Sequence, residues 1–136
     1  MSTEQHKAVV RRLMEEAERG NLAVIDELVA PDFVFHNPGD PSVGGGPAGY
    51  KRWLAQQQRE VRDARVTVED QLAEGDKVAT RFTVRGTHAA SGKPVVVTVI
   101  AIDELRDGRV VGHWDEADIL GAMQQVGAAP EPGAPS

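Results

Sequence analysis

The chain has 136 residues, 40% hydrophobic and 26% charged, which suits one globular domain around a single core. With 21 acidic against 15 basic side chains the formal charge is -6, a field that repels phosphate backbones and anionic lipid, so neither nucleic acid nor a membrane surface is an expected partner. No cysteine is present, which excludes disulfides, thiolate catalysis, Cys-ligated zinc and iron–sulfur clusters.

Residues 1–20 carry Glu4, Arg11, Arg12, Glu15 and Glu16 and read as a helix, not a signal peptide. The longest apolar run, Val95 to Ile102, is far too short to span a bilayer, so a cytoplasmic location is the expectation. Ser2 or Thr3 can cap the first helix, whose positions Val9, Val10, Leu13, Met14 and Ala17 follow helical spacing, and Gly20 ends it. Asn21 can cap a second, short helix with Leu22, Ile25, Leu28 and Val29 on one side, stopped by Pro31. A short extended piece, Phe33 to His36, follows. The Gly- and Pro-rich stretch from Asn37 to Pro47 reads as a mobile loop.

Pro47 opens a third helix running to about Arg62, with Tyr50, Trp53, Leu54, Gln57 and Val61 along one stripe. The period then changes to two. Val66 and Val68 begin one alternating stretch, Val78 to Val84 forms a second with Phe82 on its shared face, and Val95 to Leu105 and Val110 to Ala117 complete the set. The turn pairs Gly75-Asp76, Ser91-Gly92 and Asp107-Gly108 join them into an antiparallel meander. Asp118 can cap a last helical segment holding Ile119, Leu120, Met123 and Val126, and residues 128–136 should be disordered. The expectation is a single α+β domain over residues 1–127, with helices on one face of a bent sheet and a space for a small ligand between them.

The densest polar cluster is His113-Trp114-Asp115-Glu116-Ala117-Asp118. Alternation places Val111, His113, Asp115 and Ala117 on one face and Val110, Gly112, Trp114 and Glu116 on the other. On one strand face His113 and Asp115 are spaced about 7 Å apart, far enough to flank a bound molecule without consuming each other. If that face looks inward, Asp115 is a carboxylate among aliphatic side chains, and desolvation would raise its pKa toward that of a useful proton carrier. If it looks outward, both are solvated and Trp114 is the buried anchor. The preceding turn sets the pairing: a two-residue loop puts Ile100 opposite Asp115, whereas a three-residue loop puts Val99 opposite Asp115 and Ala101 opposite His113.

His113 and Asp115 also form the first half of a two-His, one-carboxylate iron triad, but no histidine follows them, and His36 or His88 would close it only by an unusual topology. No metal is expected. His36 and Asn37 stand before the Gly/Pro loop, at a pocket mouth or as a capping pair. Tyr50 and Trp53 lie on the helix face that meets the sheet, as core or as pocket wall.

The element order, His36-Asn37-Pro38 with its Gly-rich continuation, Ala73 to Val78, Gly86-Thr87-His88, and above all the stretch from Asp107 to Asp115 together resemble the SnoaL-like polyketide cyclases of the NTF2-like superfamily. The likeness spans about residues 5 to 127. It implies a cone-shaped fold with a deep pocket between the concave sheet face and the three N-terminal helices. It also implies a homodimer or homotetramer, with Trp114 on the outer sheet face as a subunit contact. Characterised cyclases of this family close a ring by intramolecular aldol condensation without metal or cofactor, using one Asp on the last long strand as general acid/base. The matching position is Asp115, and the resemblance turns Asp115 and His113 inward.

The implied activity is cofactor-independent acid/base chemistry on a small hydrophobic substrate, with Asp115 and His113 catalytic. The pocket would be lined by His36, Asn37, Tyr50, Trp53, Phe82, Val99 and Ala101. Where the cyclases carry a Gln and a His on the preceding strand, this chain has Val99 and Ala101, so two groups that would steady an oxyanion are missing. A non-catalytic binding protein, a ketosteroid-type isomerase or an epoxide hydrolase on the same fold are the alternatives.

Overall fold

In the computed structural model, which describes residues 1–131 and 133, helix α1 (Thr3–Glu18) begins at a reciprocal cap. The Ser2 hydroxyl accepts from the Gln5 amide, and the Gln5 side chain accepts from the Ser2 amide at 2.8 Å. Residues 132 and 134–136, on which part of the expected tail disorder falls, lie outside the described residues. Helix α2 (Ala23–Leu28) has Leu22 at its cap position without a side-chain bond, and Asn21 instead donates to Glu16. Val29 does not extend the apolar side of α2. It begins strand β1 (Val29–Phe35), because Pro31 disfavours helix at Ala30 and is tolerated in an edge strand.

The loop before the third helix is tied down at several points. A single 3-10 turn, Pro41–Val43, buries Val43, and Asp40 accepts from Ser42 and from the Gln56 side chain. Arg52 Nε also donates to the Val43 carbonyl at 2.7 Å. Helix α3 (Gly46–Glu60) ends earlier than its apolar stripe implied, and strand β2 (Val61–Glu74) starts on the next residue. Strands β3 (Lys77–His88), β4 (Pro94–Arg106) and β5 (Arg109–Ala117) complete the meander, and Asp118 caps helix α4 (Ile119–Gln125) through the Gly121 amide.

The sheet has five strands in the order β1-β5-β4-β3-β2, so the extended piece around Phe33 is a full strand that adds to the meander, parallel to β5. The sheet bends where β2 shifts register between Arg62 and Arg65, with Asp63 at φ 55. Gly86 faces that bulge, and a Cβ there would lie 2.7 Å from the Arg62 carbonyl oxygen, which explains a glycine in mid-strand. Backbone groups without a strand partner are met by side chains: Glu18 accepts from the Val66 amide on the edge strand β2, and Gln125 pairs with both backbone groups of Val96, where β4 runs past the end of β5. The core between helices and sheet is mainly aliphatic, with Val10, Leu13, Val24, Ile25, Leu28, Leu105 and Val110 packed around Phe33.

Candidate active site

The β4–β5 turn decides what the polar cluster faces. Asp107 (φ 54) and Gly108 (φ 77) both take the left-handed conformation of a two-residue hairpin loop, closed by the pair Arg106↔Arg109. A bulge follows between Leu105↔Val110 and Glu104↔Gly112, and Val111 is the extra residue. Both registers expected from turn length are therefore corrected, the two-residue one by one position and the three-residue one by two. Asp115 faces Ala101, not Ile100 or Val99, and His113 faces Asp103, not Ala101. The bulge also corrects the face of Val110, which packs in the core on the same side as His113.

His113 is buried, and its two ring nitrogens each meet a carboxylate. Nδ1 lies 2.7 Å from Asp103 Oδ1 and Nε2 lies 2.7 Å from Asp115 Oδ2. His113 and Asp115 therefore do not stand apart to flank a ligand: their side chains close the gap and bond directly. Ionised carboxylates only accept, so both ring nitrogens donate. Burial pulls the pKa of His113 down, but the charges and hydrogen bonds of Asp103 and Asp115 outweigh it and hold the imidazole up at about 10. Asp115 is not isolated among aliphatic groups. Its side chain is 30% exposed against 9% for His113 and 7% for Asp103, so it is the member of the chain that reaches solvent.

Aromatic rings surround the imidazole. The Phe35 and His113 rings meet near-perpendicular at 5.7 Å between centroids, and Trp53 lies tilted at 5.9 Å, so the imidazole is packed against apolar rings. Tyr50 stacks on Phe35 and meets Trp53 edge-on. Burial first, then the charges of Asp103 and Asp115, raise the pKa of its phenol and keep the hydroxyl a donor.

Asn37 has a role the sequence did not suggest. Its side-chain amide donates to the Asp115 carbonyl at 2.6 Å and accepts from the Asp115 amide at 3.1 Å, extending the β1–β5 pairing by one side-chain rung. His36 lies away from the cluster, on the outer sheet face, stacked on Trp114 at 4.0 Å, with Lys77 Nζ 5.7 Å from the indole. Phe82 and Val99 pair across β3 and β4 and line a depression of about 230 Å³ whose other walls include the outward-alternating Arg81, Thr98 and Ile100. A second depression, of about 350 Å³, lies beside Pro31 and Arg106. Neither is lined by His113 or Asp115.

Asp103 was missed from sequence, although it carried a signal. It shares an alternating face with Val99, Ala101 and Leu105, and a carboxylate on a buried face requires a partner.

A family model for SnoaL-like polyketide cyclase matches residues 8–126. Among solved structures, IdmH of Streptomyces antibioticus, a proposed polyketide cyclase, shares 32% identity over 90% of this chain and 99% of its own, with a TM-score of 0.79. TsrD of Streptomyces laurentii shares 32% over 90% of this chain and 97% of its own, with a TM-score of 0.77. A proposed polyketide cyclase of Bacillus cereus, 25% identical over 94% of this chain and 86% of its own, superimposes with a TM-score of 0.80. No curated protein matches the chain. Among the described residues no helix is long and apolar enough to cross a membrane. The unclosed, curved sheet with its helices is the NTF2-like fold, and the chain belongs to the SnoaL-like polyketide cyclase family.

Proposed function

We propose that the chain is a cofactor-independent acid/base enzyme acting on a small, hydrophobic, carbonyl-bearing substrate, with aldol cyclisation of a polyketide ester as the reaction. The observation that carries this reading is the direct bond between buried His113 and part-exposed Asp115, set beside an aromatic wall. Asp115 removes a proton from a carbon next to a carbonyl. The resulting enolate carbon attacks a second carbonyl of the same molecule, forming the new C–C bond. The alkoxide then takes the proton back from Asp115, so no proton is gained or lost. The His113 imidazolium and the Tyr50 hydroxyl supply the positive field and the donor that Val99 and Ala101 do not. Trp53 and Phe82 offer apolar surface to the substrate, and Asn37 holds the Asp115 backbone.

A second reading, a non-catalytic small-molecule binder, is favoured by the aliphatic side chains at Val99 and Ala101 and by two depressions that Asp115 does not line. Incubation with a linear polyketide methyl ester, followed by mass spectrometry and NMR, separates the two: a cyclised isomer of unchanged mass supports the enzyme, and binding without conversion supports the binder.

The proposal includes self-association through the outer sheet face. That face presents Val34 at 48% exposure and Ile100 at 55%, with the edge of Trp114 between β1 and β4.

A further inference from the structure

We infer that Asp103 is a positioning residue: by accepting from Nδ1 of His113 it keeps both ring nitrogens protonated, so that His113 is a fixed cation and Asp115 alone exchanges protons with the substrate. The inference rests on the reading of Asp115 as proton carrier and concerns a residue too deep to touch a substrate itself, at 5% exposure. Asp103 lies opposite His113 in the β4–β5 register, and the two side chains meet at 2.7 Å inside the sheet–helix interface.

The charged and titratable groups facing the imidazole are few. Strand β4 supplies Asp103, β5 supplies Asp115 and α3 supplies Tyr50, while Phe35 from β1 and Trp53 from α3 contribute only apolar rings. Two carboxylates at 2.7 Å from opposite nitrogens need two donated protons, which the imidazolium provides. A histidine acting as base needs a free lone pair, and His113 has none. Asp115 has an unused one: Oδ2 is held by His113, whereas Oδ1 takes no hydrogen bond from the described residues. The chain of three groups thus aims a single carboxylate oxygen outward and keeps the cation behind it. Without Asp103 the same histidine could lose a proton near pH 8 and compete for the substrate proton.

The test is nitrogen NMR of the ring, with no substrate required. In the unmodified protein at pH 8 both ring nitrogens of His113 should carry a proton. In Asp103→Asn, which keeps the shape but not the charge, the midpoint of His113 titration should fall by about two pH units, bringing a new limb near pH 8 into the rate profile. A structural role alone would lower stability and leave the midpoint of the folded protein in place. A single ring proton on His113 in the unmodified protein at pH 8, or a midpoint unchanged in Asp103→Asn, overturns the inference, and the first result needs no variant to fold. Failure of the parent reading is separate: it shows as undiminished turnover in Asp115→Asn, whatever the state of His113.

Discussion

His113 Nε2 and Asp115 Oδ2 are 2.7 Å apart although only one residue separates them along β5. Both side chains point to the helices, Asp103 anchors the far nitrogen, and the imidazole is long enough to bridge the pleat toward Asp115. The bond ties the charge of a buried ring to a carboxylate that reaches solvent, and the stability and the chemistry of the site depend on the same protons.

Stability should fall with pH through the alkaline range. The pKa of His113 rises from an ordinary 6.5 to about 10 on folding. Above pH 6.5 the folded state therefore holds a proton that the unfolded state has lost, so this contribution is full below pH 6.5 and is lost as pH passes through about 10. Chemical denaturation across this window should show a slope of up to about 1.4 kcal/mol per pH unit, and His113→Gln should flatten it.

Removing one member of the buried pair should be costly. Asp103→Ala leaves the imidazolium with a nitrogen facing an emptied apolar site, and a loss of about 3–5 kcal/mol is expected at pH 7 by urea denaturation. A smaller loss at pH 10 than at pH 7 is the accompanying signature, because the ring sheds its charge there.

The general plan was legible in the sequence because periodicity and turn residues report local geometry. The capping by Ser2, the end of α1, the meander and its turns, and the Asp118 cap all follow from residues adjacent in the chain. Three features were not legible. The Val111 bulge shifts the pairing by one residue, and no residue type announces it. The parallel pairing of β1 to β5 joins segments far apart in sequence. The Asp103–His113 bond depends on the first of these, because the bulge is what sets Asp103 opposite His113. Asn37 was singled out as a capping or pocket residue, and its bond to Asp115 needed the β1–β5 pairing to be seen.

Asn37→Ala should separate stability from rate. The lost bonds to the Asp115 backbone are exposed and water can replace them, so the expected cost is about 1 kcal/mol in urea denaturation. Looser placement of Asp115 should lower turnover more than that, by about ten- to a hundredfold.

Ile100→Glu should leave the fold intact, since the side chain is 55% exposed, and should weaken self-association in sedimentation experiments. An unmodified protein that sediments as a monomer at high concentration contradicts the outer-face assembly.

The most direct test of the central claim is proton exchange at the carbon next to the carbonyl of a polyketide ester, followed by NMR in heavy water. The unmodified protein should catalyse exchange, and Asp115→Asn should slow it by at least about 100-fold while ligand affinity stays within severalfold. Exchange at an undiminished rate in Asp115→Asn would contradict the assignment of Asp115 as the proton carrier.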